Sequence, residues 1–302
     1  KVHGGNLPNY WKEYLNFSDK SSIISSKLPE QGTRYWKKFN SNEIILTPMF
    51  EEDKNFKWLT LGQILELRKN TNSINSCLRS NLSLVYELIG ENTKDIDFMN
   101  KIEKIKSILN QKQSKLLHEV TLFDDTTQFY NQTDDCLSIE SDFDTFKING
   151  ALVQSESREV VSWSQPLISE KLGQEYYLFR TFKDGETKYI WSIDSEPGSN
   201  SGLILGPSIK KIPFNNSFNL QIKYFNKAYL KEEYIMSEEG GRFNRFEVRH
   251  LIFDINYEDI DIENLNILLL NKSETSSINK NGLLSMEARS LFFFSLGADL
   301  LK

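Results

Sequence analysis

Two spacings of apolar residues alternate along the chain. Apolar positions recur at about every second place in Cys136–Ile139, Phe146–Val153, Glu159–Trp163, Tyr176–Phe182 and Lys188–Ile193. A period of two turns one side of a segment to a core and the other to water, so these five predict strands of a half-buried sheet. Asp184-Gly185 between the last two predicts a tight hairpin turn, since both residues accept a left-handed backbone. Elsewhere the period lengthens. Leu61, Ile64 and Leu65 mark one face of a helix within Phe56–Leu67, with Thr60 as its N-cap. Leu78–Leu88, Ile262–Leu270 and Met286–Leu296 predict further helices, and Ile44–Leu46 and Leu203–Leu205 short strands. Met99, Ile102, Ile105, Leu109 and Leu116, spaced among Lys, Glu and Gln, predict a solvated amphipathic helix across Asp95–Leu117. Its charges read as a solvent face, with no chemistry assigned. Strands followed by helices within one unit imply an α+β fold.

The pattern occurs twice. Glu30-Gln31-Gly32-Thr33-Arg34-Tyr35 matches Glu238-Glu239-Gly240-Gly241-Arg242-Phe243 at an offset of 208, with Glu, Gly, Arg and an aromatic in register. Ile74–Ser80 and Leu284–Ser290 form a second echo at an offset of 210, each carrying an Arg-Ser pair. Two diverged copies of one domain are therefore expected. The boundaries are residues 1–93 for the C-terminal part of the first copy, a linker helix over 94–117, and 118–302 for the second. Glycines let such a turn approach a ligand closely. A neighbouring arginine can grip a phosphate or carboxylate with two parallel hydrogen bonds. A plain β-turn with an internal Glu–Arg pair is the competing reading for either copy alone. Arg79 and Arg289 are expected to tie their helices to the sheet.

Composition narrows the classes. With 302 residues and 39% hydrophobic content, including 20 Phe and 12 Tyr, the chain can build real cores. A net charge of −6 argues against a broad nucleic-acid surface. Cys77 and Cys136 form no zinc pattern and no disulfide framework, which fits a reducing compartment. No apolar run approaches the roughly 20 residues of a membrane helix. Ser295, Gly297 and Asp299 interrupt the longest one, Leu291–Leu301.

Longer motifs point further. They are Arg158–Leu167 with Trp163 and Gln165, Glu196-Pro197-Gly198, Gly206-Pro207-Ser208, Ser237–Phe243 and Met286–Leu291 in the second copy. The first copy has His3-Gly4-Gly5, Glu30–Tyr35, Asn40 and Asn42, Trp58–Gln63, and Asn75 with Arg79. In this order they resemble the NDP-hexose 2,3-dehydratases of deoxysugar biosynthesis. The resemblance implies tandem Nudix-like α+β domains, mixed sheets flanked by helices, with the first domain incomplete. It implies a nucleotide-sugar substrate, a cytoplasmic homodimer, and no nucleic-acid or membrane partner. No cofactor is implied, and no metal either, since the carboxylate box of Nudix enzymes is missing. The chain is expected to open inside the first copy, and in that form to be a poor catalyst. Three positions depart from the family pattern. Lys38–Asn42 lacks two arginines, Val248-Arg249-His250 replaces Asn-Arg-Tyr, and Lys210 replaces a glutamine.

The implied reaction starts from a 4-keto-6-deoxyhexose. Its C4 ketone acidifies the C3 proton, a base removes it, and hydrogen-bond donors hold the enolate. The C2 hydroxyl then leaves with a proton from a general acid. Candidates for acid and base are His3, Glu30 and Glu238. For His3 a polar turn beside two glycines competes with catalysis, and the two glutamates could instead bond their own turn or a ribose hydroxyl. Candidates for holding the nucleotide sugar are Arg34, Asn40, Asn42, Trp163, Gln165, Glu196, Gly198, Glu239, Arg242 and Arg249. Arg242 and Arg249 suit a diphosphate, while Trp163 either stacks on a ring or fills the core. A nucleotide-sugar-binding fragment or paralogue that kept the pocket and lost the base is the alternative. A Nudix-type pyrophosphatase is disfavoured by the missing carboxylates.

Overall fold

The computed structural model describes residues 12, 15, 22–31, 35–52, 56–89, 100, 103–108, 130–132, 136–140, 145–154, 161–170, 173–196, 198, 203–211, 225–238, 241, 243–260 and 266–300. The early strands are β1 (Ser22–Pro29) and β2 (Phe39–Ile45), followed by helices α1 (Leu61–Leu67), α2 (Ser76–Leu82) and α3 (Tyr86–Ile89). Then come β3 (Tyr130–Gln132), β4 (Cys136–Glu140), β5 (Thr145–Gln154), β6 (Ser162–Glu170), β7 (Gln174–Lys183) and β8 (Glu186–Ser195). The last part holds β9 (Leu203–Gly206), β10 (Ile209–Lys211), β11 (Tyr229–Ser237), β12 (Glu247–Asp254) and β13 (Ile267–Leu270), then α4 (Lys272–Lys280) and α5 (Met286–Leu300). The fold is α+β. Among the described residues β1 and β2 form a two-stranded sheet, β3-β4-β5-β6 form a second, and the largest runs β11-β12-β7-β8-β13 with β10 on β7 and β9 on β8. The β12–β7 pairing is parallel. No helix among the described residues is long and apolar enough to cross a membrane.

Helix α5 is the axle of the core. Every residue from Met286 to Leu296 is buried, as expected of a helix apolar on nearly all sides. Phe294 stacks on Tyr234 at 4.4 Å between centroids, and Phe292 meets Tyr189 edge-on at 5.7 Å. Burying each such ring contributes about 1.5–3 kcal/mol. Tyr176, Leu178, Trp191, Met236 and Val248 complete this face of the large sheet. Its other face carries a second core of Tyr177, Phe179, Ile190 and Leu251, with Phe179 stacked 4.0 Å from Phe225.

The two hairpins share one geometry. Pro29 pairs with Phe39 and Ser26 with Asn42, and the register slips between Ser22 and Ile24. Ser237 pairs with Glu247 and Tyr234 with His250, with the slip between Leu230 and Glu232. Each of these positions differs from its counterpart by the same 208. The helices that follow are also alike. Thr60 with Gln63 and Asn271 with Glu274 both close capping boxes over α1 and α4. Asn72 and Gly282 both take a left-handed backbone, at φ 59° and 70°. Asn75 accepts from the Leu78 amide at 2.8 Å, and Ser285 from the Ala288 amide at 3.2 Å.

Each helix pair packs on the other half's hairpin. The Asn72 amide donates to the Ile235 carbonyl at 3.1 Å. A side chain at Gly282 would put its Cβ 2.6 Å from the Lys27 carbonyl, so glycine permits the close approach. Ser26 Oγ donates to the Lys280 carbonyl at 2.6 Å.

Some expected elements are placed differently. The run expected as a helix over Ile262–Leu270 gives strand β13 at Ile267–Leu270, antiparallel to β8; residues 261–265 lie outside the described set. Four consecutive apolar residues carry no period, and here they extend a buried sheet. The helix comes next, as polar α4 from Lys272, whose Asn271–Glu274 capping box was its sequence signal. Of the strand expected over Glu159–Trp163, residues 159–160 lie outside the described set, and β6 runs from Ser162 on through Pro166. Proline is tolerated there because β6 is an edge strand of its sheet. Leu78–Leu88 is broken into α2 and α3. Thr60 is the N-cap expected, and Asp184 and Gly185 both have positive φ, 54° and 81°.

Candidate active site

Both hairpins deliver a buried glutamate at the end of their first strand. Glu30 follows β1, and its amide donates to the Lys38 carbonyl at 2.9 Å. The Asn40 side-chain amide donates to the Glu30 carboxylate, and Lys38 Nζ stands 3.5 Å from it. Asn42 donates to the Asn40 backbone carbonyl at 2.9 Å, which props that donor. The turn then docks on the later half, where the Lys37 amide donates to the Gly198 carbonyl at 2.6 Å.

Beyond Gly198 lies a buried charge cluster. Glu196 is fully buried. Lys210 Nζ lies 2.9 Å from Asp194, 3.4 Å from Glu196 and 4.0 Å from Glu287. Burial would lower the Lys210 pKa, but the carboxylates of Asp194, Glu287 and Glu196 outweigh it and hold the ammonium protonated. Burial in turn pushes the Glu287 carboxyl up, and Lys210, helped by Ser285 and Arg289, brings it below its ordinary value. Arg289 donates to the Ser80 hydroxyl at 2.6 Å, the Leu284 carbonyl at 2.7 Å and the Pro29 carbonyl at 2.6 Å. Burial draws its pKa down to about 10 against the opposing pull of Glu287, Glu196 and Glu30, so it stays charged near neutrality. Among the described residues no group of three or more His, Cys, Asp or Glu is placed to hold a metal ion. An ammonium occupies the middle of the acidic cluster instead.

The second turn is built from different partners. Glu238 is buried, its amide donates to the Phe246 carbonyl at 2.9 Å, and its carboxylate lies 3.5 Å from Arg79. Arg79 mirrors Arg289, donating to the Ser290 hydroxyl at 3.0 Å, the Ile74 carbonyl at 2.7 Å and the Ser237 carbonyl at 3.3 Å. Strand β6 borders this turn. The Trp163 indole donates to Gln165 at 2.7 Å, and Gln165 donates to the Gly241 carbonyl at 2.8 Å.

Glu30, Asn40, Asn42, Glu196 and Gly198 thus gather at the first turn, and Glu238, Trp163 and Gln165 at the second. Arg249 joins neither group. It donates to Glu233 at 2.8 Å and to Glu175 at 2.6 Å, so its charge is already matched by two carboxylates. Successive strand residues alternate faces, and its neighbour His250 lies instead in the helix-side core, between Tyr176 and Phe294. Burial, and then the charge of Arg79, put the His250 pKa well below its ordinary value. His3, Arg34, Glu239 and Arg242 lie outside the described residues.

A carboxylate shielded from water, bonded by an amide and flanked by cations, can accept a proton from a carbon acid while the cations hold developing negative charge. A family profile described as NDP-hexose 2,3-dehydratase matches residues 1–85 and 103–294. The chain belongs to that family. Among curated 2,3-dehydratases, the dTDP-4-dehydro-6-deoxy-alpha-D-glucopyranose 2,3-dehydratase of Amycolatopsis orientalis is 28% identical over 271 residues, covering 84% of this chain and 55% of its own length. The enzyme of the same description from Saccharopolyspora spinosa is 24% identical over 294 residues, covering 86% and 59%. The chain therefore spans little more than half the length of these relatives. A solved structure titled as that of an ADP compounds hydrolase aligns with a TM-score of 0.33 and 11% identity, over 55% of this chain and 95% of its own.

In this member of the 2,3-dehydratase family, Asp194 carries no sequence signal of its own and Glu287 only its place within the Met286–Leu291 motif. Lys210 stood out only as a departure from the family pattern. Arg79 and Arg289 were expected as ties from helix to sheet. Both do tie, and each one reaches the turn of the opposite half. The repeated Arg-Ser pair was the signal.

Proposed function

We propose that this chain forms part of an NDP-4-keto-6-deoxyhexose 2,3-dehydratase. The observation that carries the reading is the Glu30 carboxylate, buried and bonded by Asn40, on a turn whose Lys37 amide docks on the Gly198 carbonyl. Glu30 takes the C3 proton, and the resulting enolate is held by hydrogen-bond donors at the turn. The C2–O bond then breaks and hydroxide leaves as water with a proton from a general acid, for which His3 is the candidate. The 2,3-enol tautomerises to a 3,4-diketo sugar, so the net change is loss of one water. Trp163 and Gln165, with Arg34, Glu239 and Arg242, hold the nucleotide. The protein acts in the cytoplasm as a homodimer.

The fold belonging to this reading is a tandem of Nudix-like units, 1–93 and 118–302, joined through 94–117. Support comes from the common register, slip position and capping of the two halves.

One asymmetry favours a second reading for the later turn. Asn40, a donor to Glu30, is matched at the offset of 208 by buried Val248, and Glu238 faces Arg79 instead. The later turn has a valine where the first has its amide donor, so the chemistry is assigned to the first turn and nucleotide binding to the later one.

The decisive experiment incubates the full-length protein with dTDP-4-keto-6-deoxyglucose and traps the diketo product with a 3-ketoreductase and NADPH. Glu30→Gln is expected to lower turnover about a hundredfold or more, in line with general base catalysis, while Glu238→Gln changes KM more than kcat. Calorimetry with dTDP tests the nucleotide site, where Arg242→Ala should weaken binding about tenfold or more. Unchanged turnover in Glu30→Gln would remove it as the base.

A further inference from the structure

We propose that the two turns are wired crosswise, with Arg289 on the later half's last helix acting as the positioning residue for Glu30 on the earlier half. The inference rests on the reading of Glu30 as the base. Among the described residues β1 and β2 form a two-stranded sheet of their own. Such a hairpin is marginal by itself, and a base needs a fixed position. What fixes β1 comes from the opposite half. Ser26 donates to Lys280, Gly282 sits against the Lys27 carbonyl, and Arg289 donates to the Pro29 carbonyl, one peptide bond before Glu30. Three contacts within four residues hold the end of the strand. The same guanidinium also bonds Ser80 and Leu284, so its plane is set by three acceptors on three segments. Arginine's rigid fork suits this task and a lysine cannot reproduce it.

Arg79 repeats the arrangement in mirror image toward Ser237 and Glu238, through Ser290. The difference lies in the strand that each arginine holds. Strand β11 is built into the large sheet, whereas β1 pairs only with β2 among the described residues. Losing the fork should therefore matter more to Glu30 than to Glu238.

The test uses the full-length protein and two double-mutant cycles. The first reads the wiring without any chemistry, by comparing urea midpoints of Arg289→Lys, Ser80→Ala and the double variant. Crosswise wiring predicts that the double variant loses clearly less than the two single shifts added together. Additive shifts would overturn it. The second cycle reads turnover with dTDP-4-keto-6-deoxyglucose. Arg289→Lys should lower kcat roughly 10- to 100-fold, the scale of a misplacement near 1 Å, with KM within about twofold. Combined with Glu30→Gln it should add little further loss, whereas combined with Glu238→Gln the losses should multiply. Ser80→Ala, which keeps the guanidinium, should fold normally and lower kcat several-fold. Normal kcat in Arg289→Lys, or losses that multiply with Glu30→Gln, would overturn the positioning role. If Glu30→Gln itself keeps full turnover, the identity of the base fails and this role falls with it, while the urea cycle still reports whether the halves are wired crosswise.

Discussion

Lys210 gives the most demanding test of the buried charge cluster. Replacing it with methionine keeps much of the side-chain volume and removes the one ammonium among Asp194, Glu196 and Glu287. At 2.9 Å and an effective dielectric near 20, the attraction to Asp194 alone is about 5–6 kcal/mol, part of which is offset by desolvation. Removing one partner of a buried pair typically costs about 3–5 kcal/mol. The Lys210 side chain keeps 17% of its exposure, so the lower end, about 3 kcal/mol, is expected near pH 8. The cost should depend on pH with a definite sign. In the native protein Lys210 keeps Glu287 below its ordinary pKa. That contribution is complete above the unfolded carboxyl value and is lost as pH falls through the folded one. Without Lys210 burial is opposed only by the smaller effects of Ser285, the local backbone and Arg289, and the folded pKa is expected above the unfolded one. The variant then gains stability on acidification while the native protein loses it, and the deficit shrinks by up to about 1.4 kcal/mol per pH unit for each group that titrates. Urea denaturation of both proteins near pH 8 and near pH 5 measures this. A deficit under about 1 kcal/mol, or one that is the same at both pH values, would refute the cage as described.

His250, buried and neutral, should make the native protein less stable below about pH 6.5, by up to about 1.4 kcal/mol per pH unit, because only the unfolded chain takes up the proton. Urea midpoints of His250→Leu should lack that part of the acid slope; an unaltered slope would exonerate His250. Gly282→Ala should cost at least about 2 kcal/mol by thermal denaturation, combining a left-handed backbone with a Cβ placed 2.6 Å from the Lys27 carbonyl. Wild-type melting would mean that the halves do not approach as closely as the structure places them. Asn40→Leu should lower kcat roughly tenfold or more by removing a charge-assisted donor to Glu30, worth about 1.5–3 kcal/mol, and Asn40→His should recover part of the loss.

What could be read from the sequence was whatever is fixed locally. The Thr60 cap, the Asp184-Gly185 turn and the strands around Tyr176 and Lys188 follow from residues a few places apart. The doubled Glu-x-Gly and Arg-Ser motifs gave the offset that both hairpins obey. Periodicity, however, reports which face of a segment is buried and not what covers it. Nothing in Ile74–Ser80 or Leu284–Ser290 says that each arginine crosses to the other half. The Lys210 cluster was hidden for the same reason, since Asp194 and Glu196 at the end of β8, Lys210 on β10 and Glu287 on α5 come from three separate segments. The exchange of strand for helix at Ile267–Leu270 has a local cause: four apolar residues in a row carry no period. Arg249 was expected to suit a diphosphate, and no local pattern showed that the fold pairs it with Glu233 and Glu175 on the neighbouring strands.

The two hairpins and the helices after them share register and caps and fill them with different side chains. Register, strand slip, left-handed turn and helix caps are retained at equivalent positions, because each fixes the backbone. Side chains differ at most equivalent positions, and three of the exchanges bear on the Glu30 turn and the Lys210 cluster. Asn40 stands where the later half has Val248, Asn42 where it has His250, and Glu287 where the earlier half has Cys77, at the offsets of 208 and 210. On the Glu30 side these positions supply a donor, a prop for that donor and a buried carboxylate facing Lys210. Their counterparts are an apolar core residue, a buried neutral imidazole and an exposed thiol. A frame that preserves geometry while its polar residues diverge can hold two turns in the same pose and give them unequal chemistry. On that logic an arginine recurs at both turns because each holds a strand end that leads into a buried glutamate.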